Sequence, residues 1–214
     1  MREKPIKQPA EKPAIAYYRV CRTAVSMFRF LCFPAKYHGL ENVPEQAPYI
    51  VISNHRSWVD PIYIASKLKK HPIRFLGKKE LGGNKFTKWL SDKCRVILVD
   101  RNNSDMAAMR SCVNALKEGD VLGIFPEGTR HKEDTMQELH SGASFIAMRS
   151  KATILPIYIE KPAKFFQKNQ VYIGKPLDTK ALYAMPANND TVTELTKLMQ
   201  KEVLALPTSQ GEKG

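Results

Sequence analysis

The sequence predicts an α/β fold, with a mostly parallel central sheet flanked by helices. Three observations carry this. Short β-rich runs alternate with helical stretches from residue 36 onward, the pattern of a layered sheet. Helix signals fall between the runs, most clearly at 104–118, where Ser104 stands as N-cap, Asp105 in the first turn and Gly119 beyond the end. Across 214 residues there is no internal repeat and no second domain boundary.

Taken in order, the opening MREKPIKQPAEKP is basic and proline-rich, a composition that predicts disorder. Then comes AIAYYRVCRTAVSMFRFLCF (14–33), in which Arg19, Arg22, Ser26 and Arg29 recur at steps of three, four and three. At helical spacing they share one narrow face, and the rest of the circumference is apolar and aromatic. A full membrane span takes about 20 apolar residues with few charges, so three arginines argue against one. They also break any signal-peptide core. The composition predicts an amphipathic, membrane-associated helix lying in the interface with its basic face toward lipid phosphates. An ordinary N-terminal helix packed on the domain is the alternative.

Strands are expected at 36–40, 49–53, 73–77, 95–99, 121–125, 154–160 and 170–174. Helices are expected at 61–70, 80–91, 104–118, 141–150 and about 190–205. The chain thus divides into a basic tail with its interfacial helix (1–35), an α/β domain (36–206) and a flexible tail (207–214).

The formal net charge of +13 points to anionic surroundings, and nucleic acid, anionic lipid and phosphorylated substrates all fit it. No recognised nucleic-acid-binding pattern accompanies the charge, so no nucleic acid is expected as partner. Cys21, Cys32, Cys94 and Cys112 form neither a CxxC nor a Cys/His cluster, which predicts reduced thiols and no metal site. His38, His71, His131 and His140 have no partner pattern. The lysine-rich GKKELGGNKFTKW and KPAKFFQK are solvated faces or, with their interleaved aromatics, surfaces that rest on lipid headgroups.

In parallel sheets ligands bind beyond the carboxyl ends of the strands. Three ends stand out: YIVIS runs into NHRSWVDP, RVILV into Asp100-Arg101, and VLGIF into PEGTR. Each has a plain explanation, since Asp60-Pro61 is a good helix-starting pair and Pro-Glu-Gly-Thr a good turn. Together they put a histidine near a carboxylate, two arginines, and a glycine that admits a ligand to the backbone on one rim. Arginine's planar fork suits phosphate, and a carboxylate-held histidine suits taking a proton from a hydroxyl.

These residues resemble the glycerolipid acyltransferases. NHRSWVD matches their NHx4D block, FPEGTR their third block, ILVDR their second and LPIYI their proline-containing fourth, in the family's order. Trp58 and the intact FPEGTR look most like the 1-acyl-sn-glycerol-3-phosphate (lysophosphatidate) acyltransferases. The second block departs: Arg95 and Leu98 stand where the family usually has glycine and phenylalanine.

The resemblance implies His55 as general base on the 2-hydroxyl of lysophosphatidate, with Asp60 fixing its tautomer and no metal or cofactor. Acyl-CoA or an acyl-carrier protein would be the donor and phosphatidate, for phospholipid biosynthesis, the product. Arg101, Glu127 and Arg130 would hold the phosphoglycerol head, with Gly128 admitting it. Asn54, Thr129 and Pro156 belong to the same blocks and are expected among the substrate-binding residues. Ser57 is expected to be a turn residue. The partners implied are membrane lipids, especially anionic ones, and the location is the cytoplasmic face of the cell membrane, monotopic or peripheral. Glycerol 3-phosphate or another lysophospholipid remains open as acceptor.

Overall fold

The computed structural model describes residues 11–100, 106–130 and 139–211. Helix α1 (Glu11–Cys32) leads into β1 (Ala35–His38), β2 (Tyr49–Ser53), α2 (Asp60–Lys67), β3 (Ile73–Lys78), α3 (Lys85–Lys93) and β4 (Ile97–Val99). There follow α4 (Met106–Lys117), β5 (Val121–Ile124), α5 (Gly142–Ser150), β6 (Thr153–Ile159), β7 (Asn169–Ile173), α6 (Lys180–Ala184) and α7 (Asn189–Gly211). All seven expected strands form. Ser104 and Asp105 lie outside the described residues. Gly119 takes the left-handed φ of 85° that the end of α4 requires. The short α6 was not expected, and α7 continues past Pro207 to Gly211, beyond the boundary expected at 206.

The strands make one sheet in the order β1-β7-β6-β2-β5-β3-β4. From β6 to β4 every pairing is parallel, whereas β7 runs antiparallel to β6 and β1 parallel to β7. Strand β2 sits between β6 and β5 and is buried at all its positions, as a central strand covered on both faces must be. Its alternating side chains feed two cores. Ile50 and Ile52 join Leu116, Ile146, Leu195 and Met199 under α4, α5 and α7, while Tyr49 and Val51 join Phe33, Tyr63, Ile64 and Leu68 under α1 and α2. This three-layer arrangement fixes the rim on which the ends of β2, β3, β4 and β5 meet.

Arg95, at the family's usual glycine position, adopts φ 57°. Left-handed backbone disfavours a side chain by roughly 1–2 kcal/mol. Here the guanidinium is held by both carboxylate oxygens of Asp120, each at 3.0 Å, a bidentate pair that offsets the strain.

Helix α1 is turned the opposite way from the expected one. Arg22 donates to the Lys69 carbonyl at 2.9 Å, and Arg29, only 5% exposed, lies over the Tyr37 ring and bonds the Phe33 carbonyl. The Tyr18 hydroxyl accepts the Ile73 N–H at 3.0 Å, tying the helix to β3. The domain edge offers carbonyls and a tyrosine face that suit cations, so the polar stripe packs inward. Tyr17, Val20, Met27, Phe28, Phe30 and Leu31 are left exposed, with Arg19 beside them.

Candidate active site

Strand β2 ends at Ser53, and the next six residues loop back to α2. Asp60 is the first helical residue, but its carboxylate does not cap the helix ahead of it. It turns back onto the loop, where Oδ2 accepts the backbone N–H groups of Arg56 and Ser57, both at 2.6 Å, and Oδ1 accepts the Ser57 hydroxyl at 2.8 Å. Oδ2 also lies 2.8 Å from Nδ1 of His55. Asp60 is fully buried and His55 nearly so, with a side chain 12% exposed. A buried carboxylate that gathers this many donors is fixed in place. An ionised carboxylate can only accept, so Nδ1 is the donor in this bond, which in the neutral ring leaves the lone pair on Nε2.

The opposite side of His55 is held equally firmly. The Phe125 ring stacks on the imidazole with centroids 4.2 Å apart. Glu127 accepts the His55 backbone N–H at 2.9 Å. Both follow from the register: Ile52 pairs with Ile124, so the residues that leave β2 and β5 emerge side by side.

Three of the residues expected to bind substrate also make bonds or contacts within the domain. Asn54 is buried, and its side chain bonds both the carbonyl and the N–H of Ile159, locking the end of β2 to β6. Glu127 is buried, and its carboxylate accepts the His55 backbone N–H. Pro156 lies inside β6 opposite Ile52, short of the rim, and its ring packs at Gly174. None of the three lines the His55 cavity. Ser57 is the turn residue expected, bonded to Asp60. Arg101 and His131 lie outside the described residues.

Thr129 and Arg130 do reach the cavity beside His55. They line, with Trp58, Pro61, Leu76, Lys78, Glu80 and Phe125, a cavity of about 480 Å³ that opens on the imidazole. Gly128 borders a neighbouring cavity with φ 71°, and a Cβ there would sit 2.9 Å from the His140 ring. Phe125, Leu76 and Lys78 were missed by the sequence reading. The signal was present: β3 ends on the same rim as the other strands, and IRFLGKK places Lys78 at that end.

A second, strongly apolar cavity of about 440 Å³ runs between α1, α2, β3 and α3. It shares Trp58, Pro61, Leu76, Gly77 and Arg130 with the first. Cys21 and Cys94 border it, and burial pushes the Cys94 thiol up, so that it stays an unreactive thiol. Among the described residues no group of histidine, cysteine and carboxylate side chains is arranged to hold a metal.

The family model described as Acyltransferase matches residues 34–160, which contain all four sequence blocks and the His55–Asp60 pair. The chain belongs to the acyltransferase family.

A 1-acyl-sn-glycerol-3-phosphate acyltransferase of Bacillus subtilis is 29% identical to this acyltransferase over 194 residues, 88% of this chain and 96% of that protein. A protein of the same name from Streptococcus pneumoniae is 30% identical over 175 residues, 78% of this chain and 64% of the relative. The crystal structure of a 1-acyl-sn-glycerophosphate acyltransferase from Thermotoga maritima shares the fold, with a TM-score of 0.70 at 20% identity over 93% of this chain and 83% of that one. The acyltransferase is thus an α/β enzyme of the same architecture, with its histidine and aspartate on the carboxyl rim of the sheet.

Proposed function

We propose that this acyltransferase moves a fatty acyl group from acyl-CoA or an acyl-carrier protein to the 2-hydroxyl of lysophosphatidate, giving phosphatidate for phospholipid biosynthesis. The observation that carries the reading is the join of two cavities next to His55. The cavity that opens on the imidazole bears Arg130 and Lys78, and it shares Trp58, Pro61, Leu76, Gly77 and Arg130 with the apolar cavity.

The reaction follows from that join. Nε2 takes the proton of the acceptor hydroxyl as its oxygen attacks the thioester carbonyl. The new C–O bond forms, the C–S bond breaks, and the imidazolium returns the proton to the leaving thiolate. Asp60 stabilises the imidazolium and keeps the ring in one tautomer. The apolar cavity suits the acyl chain, and Arg130 and Lys78 suit the phosphate, Arg130 as a fork and Lys78 as a point charge. Arg130→Ala should raise KM for lysophosphatidate about tenfold, the scale of one charge-assisted bond partly exposed to water, and change kcat less. Steady-state rates at varied acceptor concentration check this.

The reading places the enzyme as a monotopic or peripheral protein at the cytoplasmic face of the cell membrane, in contact with anionic lipid. Its support is the exposed apolar face of α1, since no described helix is long and apolar enough to cross a bilayer. The test of function is an acceptor panel: purified enzyme with labelled acyl-CoA or acyl-carrier protein against lysophosphatidate, glycerol 3-phosphate and neutral lysolipids. Label appearing chiefly in phosphatidate supports the reading. Preference for another acceptor overturns it.

A further inference from the structure

We propose that the β6–β7 connection, residues 160–168, is a bilayer contact of its own. Phe165 and Phe166 enter the interfacial region of an anionic membrane while Lys161, Lys164 and Lys168 meet its headgroups. This rests on the reading of the enzyme as one that works at a membrane surface, and assigns a surface that the reading leaves undescribed.

The loop displays aromatic rings where a soluble surface has no use for them. Phe165 is 59% exposed and Phe166 76% exposed. Phe166 also holds φ 60°, a left-handed conformation that favours glycine, so its side chain is kept there against backbone preference. The display is fixed: the Phe166 N–H donates to the Cys32 carbonyl at 2.7 Å, fastening the loop to the end of α1, and Gln167 N–H donates to Lys164 at 3.2 Å.

Ring contacts then carry the loop into the rest of the apolar face. Phe165 lies 4.5 Å from Phe33, centroid to centroid. Phe33 meets Phe28 edge-on at 5.9 Å and Trp58 edge-on at 5.6 Å. One aromatic cluster therefore runs from the loop past the outer face of α1 to Trp58, which borders the His55 cavity. Seated on a bilayer, it would hold that cavity at headgroup depth, where a phosphorylated lysolipid presents its hydroxyl.

Charge selects the occupant. Lys161, Lys164 and Lys168 are exposed around the two rings, with Glu160 the one acidic residue within the loop, 3.4 Å from Lys161. Aromatic rings set among lysines suit anionic lipid. A second copy of a chain carrying +13 would bring lysine against lysine.

The test compares full-length wild type, Phe166→Gly and Lys164→Glu/Lys168→Glu by co-sedimentation with phosphatidylglycerol-containing and with pure phosphatidylcholine vesicles. Melting, light scattering and acyl transfer in detergent micelles are measured alongside. Phe166→Gly should partition about tenfold more weakly, as loss of a partly inserted ring implies, with equal or higher melting temperature and unchanged micellar turnover. The double charge variant should lose the preference for anionic vesicles. Wild-type partitioning by Phe166→Gly overturns the proposal, as does lowered melting, equal loss of micellar turnover, or a wild-type dimer that the variant dissociates. Micellar acylation by the wild type tests the functional reading separately, since the vesicles contain no substrate.

Discussion

His55→Ala should lose acyl transfer by about 10³-fold, within the range general bases contribute, while its melting temperature stays within about 3 °C of wild type. The small structural effect follows from the pocket. Asp60 keeps three donors from Arg56 and Ser57 when the imidazole is gone, so no buried oxygen is stranded. Phe125 loses a stacked neighbour but remains on the wall of an open cavity. The chemical effect is large because the imidazole is the cavity-lining group whose tautomer Asp60 fixes, while the Ser57 hydroxyl is spent on Asp60. Turnover with labelled donor and lysophosphatidate, read beside a thermal melt, checks both halves.

Asp60 should show its two roles through two substitutions. Asp60→Ala strands the buried Arg56 N–H and the partly buried Ser57 N–H and hydroxyl around a fully buried position. At about 1–3 kcal/mol for each unsatisfied group, less what relaxation recovers, the loss is roughly 3–5 kcal/mol, or about 10 °C of melting temperature. Asp60→Asn keeps an oxygen for the two N–H groups and for Nδ1, and Ser57 can turn its hydroxyl to accept from the amide. It should melt near wild type yet lose about 10²–10³-fold in rate, because the charge that stabilises the imidazolium is gone. Calorimetry and turnover on the same preparations separate the effects.

The strands and the rim were legible because apolar runs punctuated by Gly, Pro and charged clusters report burial directly, and YIVIS is the clearest of them. Direction was less so. The short link at 160–168 carries no helix, which is too little for a parallel crossover and accounts for the reversal of β7. Helical spacing identified the arginine stripe of α1 but not which side it faces, since Tyr37 and the Lys69 carbonyl lie elsewhere in the chain. Motif membership likewise grouped residues that touch the cavity with those that hold it. Arg130 and Thr129 line it, while Asn54 and Glu127 fasten the loop, and only the register between β2, β5 and β6 separates the two kinds. Asp60 looked like a cap because Asp-Pro usually is one. Its carboxylate turns back because His55, Arg56 and Ser57 together offer it more donors than the first turn of α2.

The central claim is that His55 and Asp60 act as one base, and a double-mutant cycle in lysophosphatidate acylation tests it most directly. If Asp60 works through His55, His55→Ala/Asp60→Asn should turn over no more slowly than His55→Ala alone, the two losses failing to add. Losses that multiply would show that Asp60 serves catalysis without His55, and would contradict the account.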